Sequence, residues 1–252
     1  MKKKLGQHFL FDRNILHKIV NCSGVTGEDT VIEIGPGLGT LTAIIAERAK
    51  EVIAIEFDRM LISRLQENIA STSNVTIIRA DALKFDYTSV QNRFRVVANI
   101  PYYITTPLLF RLLEYREKII SMTLLLQKEV AKRIVASPGS KDYGVLSIST
   151  RIFTRPELKF VVTKRVFSPP PDVDSAVVHF EVSPDPFFNI RNVSLFSDIV
   201  RTAFSQRRKT IINSLKKFEG IGDALEKAGI DAKLRPENLS VEDFARLADA
   251  LG

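Results

Sequence analysis

Apolar, β-branched runs recur at 30–34, 51–56, 75–79, 95–99 and 122–126, each the length of a single strand. Segments with helical periodicity lie between them, notably 40–49 and 58–70. Strands that alternate one by one with helices predict βαβ units and a mostly parallel sheet. The near-continuous apolar character of the runs fits strands buried on both faces. Two further runs, 158–162 and 176–182, flank Phe167-Ser168-Pro169-Pro170-Pro171. Three successive prolines lack the amide hydrogens a sheet needs, so a rigid extended loop is predicted there.

After Ser183-Pro184-Asp185-Pro186 the pattern changes. From about Val193 onward it is helical only, broken at Gly220, Gly222, Gly229 and Pro236. Ser240, with an acid at Asp243, reads as the capped start of the last helix. A domain boundary is therefore expected near Ser183, giving an α/β domain over 1–183 and a helical domain over 184–252.

Composition narrows the classes. With 45% hydrophobic and 26% charged residues in a chain of 252, a packed core is expected rather than disorder. No apolar run approaches the roughly 20 residues that span a bilayer. Lys2, Lys3 and Lys4 have no apolar stretch behind them, so the start does not read as a signal peptide. The single Cys22 excludes an internal disulfide framework, and scattered His8, His17 and His179 argue against a metal site. These features place the protein in the cytoplasm, with no membrane partner. The formal net charge of +7 favours a polyanionic partner, nucleic acid being the commonest. Charge alone is weak testimony, because many basic enzymes bind no nucleic acid.

Candidate chemistry begins at Glu33-Ile34-Gly35-Pro36-Gly37-Leu38-Gly39, directly after the first strand. Glycines there permit a sharp turn and a close approach of ligand to backbone. The spacing differs from that of dinucleotide sites, and no Walker lysine follows. Glu56 ends the next strand, about 20 residues on, where an acid meets the two hydroxyls of a ribose. Asp81 ends the third, where it could meet an adenine amino group. Either acid alone is as readily a helix cap or a surface charge; the three features together point to an adenosine-containing cofactor in one crevice.

Asn99-Ile100-Pro101-Tyr102 follows the fourth strand into that crevice. The pattern suggests chemistry on a planar amino group. Adenine N6 is a poor nucleophile because its lone pair is delocalised into the ring. Hydrogen bonds from N6–H to the Asn99 oxygen and to a backbone carbonyl would favour a pyramidal nitrogen and free the lone pair. Tyr102 offers a face for an extruded base. The bland alternative is a loop asparagine beside a core tyrosine.

At this point the chain resembles the KsgA-type small-subunit rRNA adenine N6-dimethyltransferases, relatives of the Erm methyltransferases and of mitochondrial transcription factor B. The matching motifs span nearly the whole chain, including Leu5-Gly6-Gln7-His8-Phe9-Leu10, Gln127-Lys128-Glu129-Val130, Tyr143-Gly144-Val145-Leu146-Ser147 and Phe204-Ser205-Gln206-Arg207-Arg208-Lys209-Thr210. The resemblance implies a Rossmann-like seven-stranded sheet with a small all-helical C-terminal domain. It implies S-adenosylmethionine as cofactor, held by His8, Leu10, Gly35, Glu56, Asp81 and Asn99, and no metal. It assigns Asn99 and Tyr102 to the reaction and Phe167 to an aromatic that sandwiches the target base. The implied substrate is a pair of adjacent adenosines in the 3′-terminal hairpin loop of 16S rRNA within the immature 30S subunit, and the implied state is a monomer. His8, Ile100 and Tyr103 stand where asparagine, leucine and asparagine are common in the family.

Arg207, Arg208 and Lys209, with Lys216 and Lys217, form a basic cluster suited to phosphates. The N-terminal lysines form a second. A charge run is also the ordinary state of a solvated face. His17, Cys22 and His179, and the rings of Phe153, Phe160 and Phe180, read as structural. Three other functions compete: an Erm-type enzyme acting on 23S rRNA, a non-catalytic assembly or transcription factor on the same fold, and, least favoured by the glycine spacing, a NAD oxidoreductase.

Overall fold

The computed structural model describes residues 8–252; Lys2, Lys3, Lys4 and the rest of 1–7 lie outside the described residues. Nine strands and ten α-helices follow in chain order among them. The first half runs β1 (Phe9–Leu10), α1 (Arg13–Ser23), β2 (Thr30–Ile34), α2 (Thr40–Ala46), β3 (Glu51–Glu56), α3 (Arg59–Asn68), β4 (Val75–Arg79), β5 (Phe94–Asn99), α4 (Thr105–Glu114) and β6 (Ile119–Gln127). Then come α5 (Lys128–Val135), α6 (Val145–Arg151), β7 (Thr154–Val162), β8 (Phe167–Ser168) and β9 (Ser175–Val182). The chain ends in α7 (Val193–Ser205), α8 (Ile211–Ser214), α9 (Ile221–Lys227) and α10 (Val241–Leu251).

Seven strands make one sheet in the order β4-β3-β2-β5-β6-β9-β7. Pairings among β4, β3, β2, β5 and β6 are parallel, and β9 runs antiparallel to β6. The order reverses between β2 and β5, the switch point at whose carboxyl ends open α/β sheets bind ligands. All five residues of β2 are buried, as a central strand covered on both faces requires. Helices α1 and α2 contribute Leu16, Ile19, Leu41 and Ile45 to a core shared with Val31 and Val52. Asp12 caps α1 by accepting from the amides of Asn14 and Ile15, and Gly24 closes it in the left-handed conformation.

Two expectations about the chain need correction. Phe167–Pro171 is not all loop, because Phe167 and Ser168 form β8 and pair antiparallel with Leu10 and Phe9 of β1. The prolines begin only at Pro169, so both β8 amides remain available to a ladder. The compact units also differ from a cut at Ser183. One comprises the described residues up to Ala131 with 156–182, and the other 132–155 with 183–252. Backbone bonds give the reason: Ser183 donates to the Phe153 carbonyl at 2.8 Å and Phe187 to that of Ile152 at 2.7 Å. Such long-range pairing leaves no periodic trace in sequence.

The second unit is built on α6, α7, α9 and α10. Tyr143, Phe204 and Phe244 run through it with ring centroids 6.1 and 6.0 Å apart. The capping box expected at Ser240 is present. Its Oγ accepts from the Asp243 amide at 3.1 Å, and the Asp243 carboxylate accepts from the Ser240 amide at 2.8 Å.

Candidate active site

A cavity of about 310 Å³ opens at the carboxyl ends of β2, β3 and β5 and the turn after β4. His8, Leu10, Gly35, Glu56, Asp81, Asn99 and Tyr102 all line it, so strand ends far apart in sequence converge there. The glycine turn after β2 forms its floor. Gly37 has φ +59°, and a Cβ there would lie 2.9 Å from the Phe9 ring. Gly39, at φ +85°, lets the start of α2 approach Leu65 of α3, which a Cβ would meet at 2.7 Å. The Gly35 amide donates to the Ile55 carbonyl at 3.0 Å and ties the turn to β3.

Glu56 is buried and holds the turn from the other side. One carboxylate oxygen accepts from the Gly37 amide at 3.3 Å and the other from the Asp58 amide at 2.9 Å. Burial pushes its pKa upward, and the amides of Asp58, Gly37 and Phe57 pull it back. Asp81 lies two residues beyond β4. Its Oδ1 accepts from the Leu83 amide at 3.0 Å, which fixes the carboxylate and leaves Oδ2 as acceptor.

Asn99 ends β5, and its Nδ2 donates to the His8 carbonyl at 3.1 Å. That bond sets the amide plane and leaves Oδ1 as an acceptor with no partner among the described residues. The His8 Nδ1 donates to the Pro169 carbonyl at 2.8 Å, since a carbonyl only accepts. Its ring stacks on Tyr102, with centroids 5.6 Å apart and planes 29° from parallel. The Tyr102 hydroxyl is anchored 2.6 Å from the Ser175 Oγ, and burial raises its pKa, which keeps the phenol neutral.

Phe167 does not join this set. It is 4% exposed, packs in the core with Leu10 and Leu16, and does not line the cavity. Phe167 pairs with Leu10 on one face of the short β1–β8 ladder, and its ring packs into the core, whereas Leu10 borders both core and cavity. Arg207 is exposed but already held through one guanidinium nitrogen. It donates to the carbonyls of Lys141 and Tyr143 at 3.2 and 3.1 Å and lies 3.6 Å from the Glu237 carboxylate. Arg208 and Lys209 are exposed in the turn after α7.

Sequence reasoning named Glu33 only as the start of the glycine motif. It is a fully buried carboxyl on the cavity wall. A lone acid inside the otherwise apolar Thr30–Ile34 was the available signal. Ser175 and Pro169, which anchor Tyr102 and His8, carried none. Phe57 and Tyr103 also line the cavity and are 60% and 59% exposed. The electrostatics are one-sided: Glu33, Glu56 and Asp81 are on the wall, and among the described lining residues none is Lys or Arg. Such a wall suits a cationic ligand better than a pyrophosphate.

A family model described as ribosomal RNA adenine dimethylase matches residues 1–252. The chain belongs to that family. Its fold and its membership make it an rRNA adenine dimethyltransferase. A ribosomal RNA small subunit methyltransferase A of Pelotomaculum thermopropionicum is 44% identical over 268 residues, covering 99% of this chain and 90% of that protein. Among solved structures, a dimethyladenosine transferase from Plasmodium falciparum superposes with a TM-score of 0.81 at 30% identity, over 95% of this chain and 96% of that one. The 23S rRNA methyltransferase ErmE superposes with a TM-score of 0.78 at 28% identity, over 96% and 99%. Other family members thus share both units. No described helix is long and apolar enough to cross a membrane, and no described group of His, Cys, Asp and Glu is placed to hold a metal.

Proposed function

We propose that the protein transfers methyl groups from S-adenosylmethionine to N6 of two adjacent adenosines in the 3′-terminal hairpin loop of 16S rRNA. It does so as a monomer in the cytoplasm, on the immature 30S subunit. The observation that carries this reading is the meeting of Asn99 and Tyr102 with three carboxyls in one cavity that no described cation lines.

The cavity fits the cofactor. S-adenosylmethionine brings a sulfonium and an ammonium, and the wall answers with Glu33, Glu56 and Asp81. Gly35 and Gly37 would admit the ligand close to the backbone, Glu56 would hold the ribose hydroxyls, and the Asp81 Oδ2 would accept from the adenine amino group. When bound, the cofactor supplies an electrophilic methyl group on positively charged sulfur.

The remaining work falls to the chain. Asn99, its Nδ2 committed to the His8 carbonyl, presents Oδ1 to the target N6–H and localises the nitrogen lone pair. His8 covers one face of Tyr102, so the extruded adenine stacks on the other. The Ser175 bond keeps that ring from swinging away. No strong base is needed, because the methylated cationic amine is acidic and loses its proton to water. The helical unit carries the RNA through Arg208, Lys209, Lys216 and Lys217, all exposed.

The test is methylation of immature 30S particles followed by mass spectrometry of the rRNA. Dimethyladenosine at two adjacent 16S positions is the expected product. The likeness to ErmE favours a second reading, a 23S adenine, and label appearing only in 23S rRNA would establish it.

A further inference from the structure

Tyr87 is fully buried in the first unit, in the short 3₁₀ turn Tyr87–Ser89 that follows β4. Its ring packs edge-on against Phe85, with centroids 5.0 Å apart, and lies 5.2 Å from the Tyr115 ring and 6.2 Å from that of Phe94. A phenylalanine would offer the same apolar packing, so the hydroxyl has a separate task. A buried tyrosine hydroxyl needs an acceptor, and this one donates to the Ala82 carbonyl at 3.0 Å. Ala82 lies between Asp81 and Leu83, and all three line the cavity. We propose that Tyr87 is a positioning residue of the cofactor site, whose hydroxyl holds the Asp81–Leu83 turn so that the site prefers an adenine amino group to a ring carbonyl. The inference rests on the reading of the cavity as an S-adenosylmethionine site.

The bonding of the turn shows why one hydroxyl matters. Asp81 Oδ1 accepts from the Leu83 amide at 3.0 Å, and the Asp81 carbonyl accepts from the amides of Lys84 and Phe85 at 2.9 Å each. The direction of the remaining oxygen, Oδ2, is thus tied to the backbone of 81–83. Ala80 fixes the entry of the turn to β3, donating to the Glu56 carbonyl at 3.1 Å. Tyr87 fixes its middle from the core side. Beside it, Arg111 of α4 reaches the Phe85 carbonyl at 3.4 Å and the Tyr115 hydroxyl. Burial pushes the Tyr87 pKa up against the pull of the Arg111 guanidinium, so the phenol keeps its proton and remains a donor. A carboxylate oxygen accepts from an amino group and repels the lone pairs of a ring carbonyl, so its aim decides between the two bases. A turn released from the core blunts that choice.

The test is calorimetric titration of the full chain with S-adenosylhomocysteine and with S-inosylhomocysteine, which carries a ring carbonyl in place of the amino group. The parent should prefer the adenosyl ligand by about tenfold or more. Tyr87→Phe, its folding confirmed by melting, should shrink that ratio about three- to tenfold. Asp81→Asn, which keeps an oxygen for the Leu83 amide, should shrink the ratio by itself. Adding Tyr87→Phe to it should then change the ratio by less than about twofold, because both act on one contact. A tyrosine that serves only packing would weaken both ligands alike. An unchanged ratio in folded Tyr87→Phe therefore overturns the proposal, as does full additivity with Asp81→Asn. If Tyr87→Phe does not fold, the ratio in Tyr87→Met decides in the same way. Failure of both to fold makes the hydroxyl a requirement of the fold and overturns the proposal too. A parent that binds neither ligand overturns the cofactor reading first, and one that binds both equally removes Asp81 from adenine recognition; either result takes this proposal with it.

Discussion

The cavity at the ends of β2, β3 and β5 and the basic turn after α7 both collect charge, but they use it differently. In the cavity each carboxyl is buried or fixed by named amides, so each acts individually. In the turn, Arg208 and Lys209 stand in solvent, where screening makes charges act collectively and weakly. Arg207 belongs to neither pattern. Its sequence neighbours make it look like a phosphate contact, yet its Nη2 is already tied to two carbonyls beside an acid while the side chain stays exposed. Charge in a motif acquires a role only through what surrounds it.

The largest effect that would break this contrast is expected at Asn99. Asn99→Ala removes the acceptor for N6–H, and single-turnover methyl transfer should fall about 10²–10³-fold. Circular dichroism and melting should stay near the parent's, since among the described residues its side chain bonds only the His8 carbonyl. A near-parental rate would leave the cavity a binding site without chemistry.

Next comes Glu33, through stability. Its pKa is raised to about 8 in the folded chain, so the folded state holds a proton that the unfolded chain releases near 4.5. The sign follows from linkage: stability is fullest below about pH 4.5 and is lost as pH rises toward 8. Glu33→Gln cannot ionise and should be more stable than the parent at pH 8, by up to about 4 kcal/mol, against about 1 kcal/mol at pH 5. Urea denaturation at the two pH values measures this, and parallel losses in both proteins would place the titration elsewhere.

Glu56→Ala should weaken S-adenosylmethionine by about 1.5–3 kcal/mol, read by calorimetry, if its carboxylate bonds the ribose. Unchanged affinity in a folded variant would confine Glu56 to bracing the glycine turn.

The smallest effects separate the basic residues from one another. Arg207→Ala should lower the melting temperature by a few degrees, a loss on the order of 1 kcal/mol discounted for exposure, because two carbonyls lose their donor. Replacing Arg208 and Lys209 together by alanine should leave melting unchanged. It should flatten the salt dependence of 30S binding by about one to two units of slope. The reverse outcome would restore Arg207 as an RNA contact.

Much of this was legible in the chain itself. The apolar runs at 30–34 and 51–56 coincide with β2 and β3, because strands buried on both faces admit few polar residues, and the run at 75–79 coincides with the partly exposed edge strand β4. The 119–127 strand extends beyond its expected core, since Ser121 and Gln127 pair in the ladder although they are polar. The glycine turn, Glu56, Asp81 and the 99–102 motif were readable because chemistry at strand ends demands particular residues at regular spacing. Local pattern thus determined the parallel sheet, the crevice and most residues around it.

Tertiary structure decided what depends on partners distant in sequence. It sent Phe167 into the core through its register with Leu10, and it gave 132–155 to the helical unit through bonds to 183 and 187. It committed Arg207 to the 141–143 backbone and anchored Tyr102 on Ser175, 73 residues away. It also buried the Glu33 carboxyl against the Thr42 hydroxyl of α2. The reason is common to all five. Periodicity records whether a side chain faces the core or solvent, whereas the partner of a polar group, and hence its charge and its task, is set by chain segments that meet only after folding.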